Sequence, residues 1–280
     1  MLTVAGSDSG GGAGIEADLK TCTLIGVYAT VALTAVTAQN TCEVRAVHYL
    51  PPDMVKAQIE AVLEDIGTDA VKTGMLGRPE IIEAVVEVFR ARRVANLVVD
   101  PVMVAKSGAA LLAPEAVSYL KERLLPLATV VTPNAPELAV LSGRDIDDEE
   151  GLRSAAAALW HQTGVGYVLA KGGHLTGPQA TDWLYDGREF TALAGPRLEG
   201  RHTHGTGCTL SAALAAYLAL GLSVPEAARR AKEFVSRAIA RGLALGRGCG
   251  PVNPWAASAL GGGEGVALGG PSSAGAGSDK

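Results

Sequence analysis

The sequence is poor in aromatic residues and in cysteine. Phe, Tyr and Trp together make up 4% of the 280 residues, and no two of the four cysteines form a C-x-x-C pair. Scattered cysteines indicate neither a disulfide framework nor a zinc site. We therefore expect free thiols and a cytoplasmic protein. The cysteines are Cys22, Cys42, Cys208 and Cys249.

Long apolar runs and blocks of positive charge are also missing. No stretch reaches the roughly 18 apolar residues that a membrane span requires. The opening MLTVAGSDSGG lacks the basic start and the apolar run of a signal peptide. The net charge is −5 and Lys and Arg form no long block, so nothing indicates nucleic-acid binding. We expect a soluble protein that binds neither membranes nor nucleic acid.

What the sequence does contain is an alternation of short apolar runs with helical patterns. LTVA is followed by a helix from about residue 13 to 25, and the alternation continues to two helices near the end. This order predicts a mostly parallel, buried sheet with helices on both faces. The pattern also predicts one continuous strand over 29–36, an N-cap at Asp53, one helix over 113–126 and a hairpin at Asp186-Gly187.

The chain shows no internal linker before a tail rich in Gly, Ser and Ala. We expect one domain over residues 1–255 and a disordered tail over 256–280. Ligands of parallel sheets bind where the strands end at their carboxyl edge. The residues at these strand ends are 6–14, Gln39, Met75, Asp100, Asn134, Lys171 and 203–208.

The stretch GSDSGGGAGIEADLK directly follows the first strand. Gly12, Gly14 and Ala17 have the G-x-G-x-x-G/A spacing of a dinucleotide-binding turn. Such a turn requires an acidic residue about 20 residues later, after the second strand. That region reads TAVTAQNT and contains no acid, which argues against a dinucleotide site.

The stretch THGTGCTLSAALAA combines a glycine turn with a long apolar helix. Gly205 and Gly207 allow a close approach to the backbone, and N–H groups at a helix start attract an anion. This pattern predicts an anion site. The alternative is a turn that only opens a buried helix.

Two further strand ends carry polar residues with two possible roles. Asn134 and Glu137 suit a Mg²⁺ held mostly through water, or they form an ordinary capping box. Lys171, at the end of a strand in AKGGH, reaches a phosphate or is a solvated lysine before a turn.

Other motifs that suggest chemistry fail on inspection. GTDAVKTG has Val71 where a Walker A loop requires glycine before the lysine. No G-x-S-x-G elbow surrounds Ser7 or Ser9, so a hydrolase triad has no support. His202 and His204 have no evident third ligand for a metal.

Taken together, the motifs resemble one family, the hydroxymethylpyrimidine/phosphomethylpyrimidine kinases of the ribokinase superfamily. This resemblance implies a three-layer α/β/α ribokinase-like fold with a mostly parallel central sheet, and a homodimer. The matching segments run in family order from residue 2 to about 254. They are AGSDSGGGAGIEADLKT, TAVTAQNT, VKTGMLG, DPVMVAKSG, TPNAPEL, AKGGH, THGTGCTLSAA and GPVN.

The resemblance also implies roles for individual residues. The catalytic group would comprise Cys208, Lys171, Gly205 and Gly207, with the glycine turn as an anion hole for the transferring phosphate. Cys208 stands where most relatives carry an aspartate base, and a thiol at a helix N-terminus can have a lowered pKa. The remaining implied residues fall into three groups. They are Lys171, Thr203, Thr206 and Gly207 for ATP, Asn134 and Glu137 for Mg²⁺, and Gly6, Ala13, Asp18, Gln39, Met75 and Val102 for the substrate.

The activity implied is ATP-dependent phosphorylation of 4-amino-5-hydroxymethyl-2-methylpyrimidine, and then of its monophosphate, for thiamin biosynthesis. The carboxamide of Gln39 offers one donor and one acceptor, which matches an aminopyrimidine edge. Met75 offers a polarizable surface to the ring. Two other hypotheses stay open: a pyridoxal/pyridoxine kinase of the same superfamily, and a non-catalytic pyrimidine or nucleotide sensor on a kinase fold.

Overall fold

A computed structural model describes residues 1–175, 179–198 and 200–258. Within these residues, eight strands form one sheet in the order β10-β9-β8-β7-β6-β5-β1-β2, and β3 and β4 form a separate antiparallel pair. The six strands from β8 to β2 are parallel, and β9 and β10 add an antiparallel edge. The strands are β1 Leu2–Ala5, β2 Thr30–Leu33, β3 Ala35–Gln39, β4 Val44–Tyr49, β5 Val71–Thr73, β6 Leu97–Val99, β7 Val130–Val131, β8 Tyr167–Ala170, β9 Asp182–Tyr185 and β10 Phe190–Leu193.

Helices cover both faces of the sheet. Alternate residues of one strand serve different faces: Leu97 and Val99 join one buried cluster and Val98 joins the other. The first cluster packs under α2 to α6, and the second packs under α1, α7, α8 and α9. The predicted three-layer α/β/α architecture is therefore confirmed. The helices are α1 Gly14–Ile25, α2 Pro52–Asp65, α3 Pro79–Arg92, α4 Pro114–Tyr119, α5 Ala135–Ser142, α6 Glu149–Thr163, α7 Thr206–Ala219, α8 Val224–Ala240 and α9 Pro254–Ala257.

The predicted continuous strand over 29–36 is wrong, because the chain leaves the main sheet at Thr34. The Thr34 hydroxyl donates to the Met75 carbonyl, and its own carbonyl accepts from Leu50 N–H. The following residues, β3, pair with β4 instead of continuing along β1. This turn carries Gln39 away from the sheet and towards the site described below.

Two other local predictions are corrected. Pro51, not Asp53, is the N-cap of α2, and Asp53 lies inside the first turn. The helix expected over 113–126 is α-helical only to Tyr119 and then continues as a π turn and a 3₁₀ turn. Pro126 explains this end, because a proline lacks the N–H that an α-helix requires. The Asp186-Gly187 hairpin is confirmed as β9 and β10.

The tail is predicted over residues 256–280, and residues 259–280 lie outside those that the structure describes. Within the described residues, no helix is both long and apolar enough to cross a membrane.

A fully buried ion pair joins α1 to the centre of the sheet. Lys72 Nζ lies 2.9 Å from Asp18 Oδ1 and 2.8 Å from Oδ2, and both side chains are 0% exposed. The hydroxyl of Thr3 donates to Asp18 Oδ2 at 2.6 Å. Two charges removed from water stabilise a fold only while each keeps its partner.

We predict that Lys72→Met destabilises the protein by about 3–5 kcal/mol, because it leaves Asp18 buried without a counter-charge. The double variant Asp18→Leu/Lys72→Met should recover most of this loss, since an apolar pair of similar volume replaces the ion pair. Urea denaturation of the wild type and the three variants, including Asp18→Leu, measures both effects. A double variant as unstable as the single ones would contradict the prediction.

Candidate active site

The predicted strand-end residues come together at one edge of the sheet. Gly6, Met75, Asp100 and Lys171 follow β1, β5, β6 and β8 directly or by one residue. Asn134 continues the parallel pairing of β7 by bridging to Lys171. Neighbouring parallel strands therefore deliver these residues side by side, at the edge where parallel sheets bind ligands.

An apolar floor lies at the β1 and β5 side of this edge. Met75 packs with Ala35 and Leu111, and Val102 borders the same cluster. A Cβ on Gly6 would stand 3.2 Å from Met75 Sδ and 3.5 Å from the Ala35 carbonyl oxygen. The structure thus brings Gly6, Met75 and Val102, all predicted to contact substrate, to one surface.

The glycine turn 205–208 lies at the start of α7, as predicted. Gly205 has a positive φ of 79° and caps the helix, and a Cβ there would collide with the carbonyl oxygen of Gly12. The hydroxyl of Thr206 donates to the Thr203 carbonyl at 2.7 Å and closes the turn. Thr206 N–H also donates to the Thr203 carbonyl, at 3.3 Å, so Gly207 and Cys208 carry the N–H groups at this helix start that have no intrahelical acceptor.

Lys171 belongs to a cluster of buried charges next to this turn. Its Nζ lies 3.5 Å from Asp100 Oδ1 and 3.9 Å from Glu137 Oε2. A Cβ on Gly207 would stand 3.4 Å from Lys171 Nζ, so the missing side chain leaves room between the turn and the ammonium group. Although burial disfavours its charge, Asp100 and Glu137 raise the pKa of Lys171.

Asp100 and Glu137 give this cluster an excess of negative charge. Ser211 on α7 donates to Asp100 Oδ2 at 3.1 Å, which ties the turn helix to the cluster. Burial, opposed by Lys171 and reinforced by Asp100, raises the pKa of Glu137. Two carboxylates face one ammonium, an arrangement that favours an additional cation.

The capping alternative for Asn134 and Glu137 is present in the structure. Glu137 N–H donates to Asn134 Oδ1 at 2.9 Å, and Asn134 N–H donates to Glu137 Oε2 at 2.8 Å. This capping box fixes both side chains beside Lys171. The capping role does not compete with a role towards a cation held through water.

The first glycine loop is built around a carboxylate that the sequence analysis did not single out. Asp8, 2% exposed, accepts N–H bonds from Gly10, Gly12 and Ala13. Its Oδ2 also lies 2.7 Å from His204 Nε2. An aspartate just before a glycine-rich run is a signal for such a side-chain turn, but nothing local indicates His204 as its partner.

Asp18 and Gln39 differ in their access to the site. Both oxygens of Asp18 are engaged by the buried Lys72 and Thr3, so the carboxylate has no exposed atom to offer a substrate. Its predicted contact with substrate is not favoured by this geometry. Gln39, in contrast, lines a cleft of about 310 Å³ together with His204. Glu16 accepts from Asp8 N–H at 2.8 Å and supports the loop.

Comparison with known families agrees with this geometry. The model of the family described as phosphomethylpyrimidine kinase matches residues 8–253. The chain belongs to this family. The match includes most of the first glycine loop, the charged cluster of Lys171, Asp100 and Glu137, and the glycine turn 205–208. Membership of this family makes the chain a phosphotransferase.

Two relatives differ in how much of their length the chain covers. A hydroxymethylpyrimidine/phosphomethylpyrimidine kinase of Streptomyces coelicolor is 54% identical over 253 residues, covering 90% of this chain and 93% of that one. A thiamine biosynthesis bifunctional protein of Geobacter sulfurreducens is 53% identical over 253 residues, covering 90% of this chain. The chain spans 51% of that bifunctional protein's length.

Solved structures share the ribokinase-like fold. An ADP complex of Bacillus subtilis pyridoxal kinase has a TM-score of 0.85 and 41% identity, covering 91% of this chain and 97% of that one. A phosphomethylpyrimidine kinase from Clostridium difficile 630 has a TM-score of 0.75 and 44% identity, covering 85% and 98%. Structural similarity therefore extends to kinases named for two different ring substrates.

The prediction of a lowered pKa for Cys208 is wrong. Burial raises the pKa of the thiol to about 11, against the opposing influence of Lys72 and of the Gly14 N–H. Position at a helix N-terminus does not compensate for removal from water. Cys208 is therefore a neutral thiol at physiological pH.

We predict that Cys208 reacts slowly with iodoacetamide. At pH 8 a thiol with a pKa near 11 is ionised to on the order of 10⁻³, and the thiolate is the reactive form. Alkylation followed by peptide mass spectrometry should show Cys208 modified at least tenfold more slowly than the exposed Cys42. The Cys208 rate should rise about tenfold for each pH unit.

A Cys42→Ser variant serves as the control that isolates the Cys208 signal. If Cys208 of the wild type were modified as fast as Cys42 at pH 7, the pKa of Cys208 would be lowered and this prediction would be wrong.

Proposed function

We propose that this chain phosphorylates the hydroxymethyl group of 4-amino-5-hydroxymethyl-2-methylpyrimidine with ATP, and then converts the monophosphate to the diphosphate for thiamin biosynthesis. The observation that carries the proposal is the contact between two turns. The apolar floor behind Gly6 and the anion turn at Gly205 lie next to each other, because Gly205 packs on the carbonyl of Gly12. A flat ring on the first and a phosphate on the second are then neighbours.

The substrate ring would lie against Met75 and Val102, with Gln39 at its polar edge. Ala13, at the end of the first loop, lies against the turn: a Cβ on Gly205 would stand 3.4 Å from Ala13 Cα. The backbone approaches closely at Gly6 because no side chain intervenes. The hydroxymethyl group would then point to the turn at Gly205. Such packing orients the acceptor oxygen before transfer begins.

The glycine turn 205–208 and Lys171 would bind the transferring phosphate. Outward N–H groups at Gly207 and Cys208 stabilise the charge that develops on the transferring group, and Thr203 and Thr206 shape the turn. Phosphoryl transfer has a loose transition state, so positioning and charge stabilisation outweigh base strength. This fits a protonated thiol at Cys208, which cannot accept the hydroxyl proton: late in the transfer that proton would pass to an oxygen of the transferred phosphoryl group and from there to water.

A Mg²⁺ ion fits the charge cluster. The excess carboxylate at Asp100 and Glu137, and the raised pKa of Glu137, indicate a place where a divalent cation relieves repulsion. No set of three His, Cys, Asp or Glu side chains within the described residues forms a metal centre, so the ion would keep several waters. Asn134 and Glu137 would hold those waters. A bound Mg²⁺ would neutralise charge on the ATP phosphates.

A second candidate, pyridoxal/pyridoxine kinase, is favoured by the TM-score of 0.85 to a pyridoxal kinase. The non-catalytic sensor is disfavoured by the intact set of Lys171, Asn134, Glu137 and the glycine turn. We also propose, from family membership, a cytoplasmic homodimer with a kinase domain over residues 1–255.

The decisive experiment is an ADP-release assay with Mg²⁺ and three acceptors: the pyrimidine, its monophosphate and pyridoxal. We predict turnover of both pyrimidines, with a kcat/KM for the pyrimidine above that for pyridoxal. Turnover of pyridoxal alone would establish the second candidate. Binding of the pyrimidine with no turnover in folded protein would establish the sensor.

We predict that Lys171→Ala lowers kcat by about 10²-fold and changes the KM for the pyrimidine by less than about threefold. The reason is that its ammonium group faces the phosphate, where charge develops in the transition state. Steady-state kinetics with each substrate varied measures the split. Lys56→Ala is the matched control, because Lys56 pairs with Glu87 on the exposed surface between α2 and α3. An unchanged kcat would reject the role.

A further inference from the structure

The carboxylate of Asp8 joins the two glycine turns through a side chain. Its Oδ1 accepts Gly10 N–H at 2.8 Å, and its Oδ2 accepts Gly12 N–H at 3.1 Å and Ala13 N–H at 2.9 Å. The fourth partner is His204 Nε2, 2.7 Å from Oδ2, with side-chain exposures of 11% for His204 and 2% for Asp8. His204 immediately precedes Gly205, so one ion-dipole contact couples the first loop to the anion turn.

This contact fixes which ring nitrogen of His204 carries a proton. Burial opposes the charge of Asp8, but the hydrogen bonds from His204, Gly10 and Ala13 lower its pKa. An ionised carboxylate is acceptor-only. At 2.7 Å the Nε2 atom of His204 must therefore be the N–H that donates to Asp8.

The carboxamide of Gln39 meets the same ring nitrogen. Gln39 Nε2 lies 3.4 Å from His204 Nε2. Two donors cannot bond to each other, and the choice between amide oxygen and nitrogen follows from the hydrogen-bond network. The single Nε2–H of His204 is donated mainly to Asp8 at 2.7 Å and can be shared with the Gln39 amide only as the weaker arm of a three-centre bond, so the amide end facing it is Oε1. The NH₂ group of Gln39 then faces the cleft.

The backbone of Gln39 is fixed independently of His204. Gln39 N–H donates to Ser9 Oγ at 2.8 Å, and the Ser9 hydroxyl donates to the Gln39 carbonyl at 2.7 Å. The β3–β4 pairing is irregular at Ala38 and Gln39, where β-bulges re-aim side chains. Only the side-chain amide remains free to turn, and His204 is the group positioned to orient it.

We infer that His204, held by Asp8, is a positioning residue that orients the Gln39 amide so that its NH₂ group donates into the substrate cleft. The cleft is lined by Gln39, Asn40, Lys106, Ser107, His204 and Cys249. The inference rests on the proposed function in one respect: a donor at this edge selects a ring with an acceptor nitrogen. In the proposed substrate that acceptor is the ring nitrogen next to the amino-bearing carbon.

The test compares two ligands in four proteins. The ligands are the aminopyrimidine and its analogue in which that ring nitrogen is replaced by CH, and the dissociation constants are measured by calorimetry. We expect the wild type to bind the pyrimidine at least tenfold more tightly than the analogue. His204→Leu, which removes the donor to Gln39, should reduce this ratio to less than threefold.

Two further variants keep the test informative. His204→Gln places an amide N–H near the position of Nε2 and should restore most of the ratio. His204→Asn retains polarity but withdraws the donor from that position and should behave like His204→Leu if the latter does not fold. His202→Gln is the matched control in the same loop, because His202 contacts neither Asp8 nor Gln39 in the hydrogen bonds of the described residues.

A collapsed ratio in His204→Leu or His204→Asn, with recovery in His204→Gln, supports the inference. A ratio unchanged from wild type, or equal weakening of both ligands, overturns it and leaves His204 with a structural role only. The two proposals are separated by wild-type turnover. If the wild type does not phosphorylate the pyrimidine, the proposed function fails and takes the inference with it. If it does, a ratio that stays at the wild-type value in His204→Leu and His204→Asn overturns the inference alone.

Discussion

The site depends on a backbone contact between Gly12 and Gly205. These residues belong to the glycine loop after β1 and the glycine turn before α7, and neither position accommodates a Cβ in this packing. A side chain at either one would push the anion turn away from the substrate loop. Asp8 and His204 reinforce the contact from the side, and Gly14 N–H reaches Cys208 across it. The proximity of the two glycine turns is therefore a packing property of the backbone.

The charged side chains around this contact are buried, and their burial determines how they interact. Lys171 stands between Asp100 and Glu137, and the buried pair of Lys72 and Asp18 lies under the start of α7. Removal from water keeps these charges strongly coupled to one another. The same burial keeps Cys208 protonated, so the site works through fixed dipoles and charges more than through a standing base. That combination suits phosphoryl transfer, in which charge on the equatorial oxygens is the main quantity to be stabilised.

Much of the fold follows from local pattern, because parallel strands are apolar runs that alternate with helices. The strand ends at Met75, Asn134 and Lys171 were predictable for the same reason, since each follows directly after such a run. The capping box of Asn134 and Glu137 was one of the two roles predicted for these residues, the other being a Mg²⁺ site. These features depend on neighbours in sequence.

Other features depend on partners far along the chain and escaped prediction. β4 is half exposed and pairs only with β3, so it carries no strong apolar signal. α6 was missed although Asp148 and Gly164 mark its ends as clear caps. Asp18 was expected at the substrate, because its partner Lys72 comes from a separate strand and nothing local indicates their ion pair. The pKa of Cys208 was misjudged since the sequence shows a helix start but not the desolvation around it.

The pairing of His204 with the C-terminal segment has a consequence for how the protein is made. His204 N–H donates to the Gly250 carbonyl, and Val252 N–H donates back to the His204 carbonyl. The contact of Gly12 with Gly205 joins residues far apart in the sequence, and folding rates fall as such long-range contacts increase. His204 in turn pairs with residues 250–252. During synthesis the candidate site can therefore form only after residues up to 252 have left the ribosome. Within the described residues the last strand ends at Leu193, so the nascent chain contains the sheet before it contains the second glycine turn.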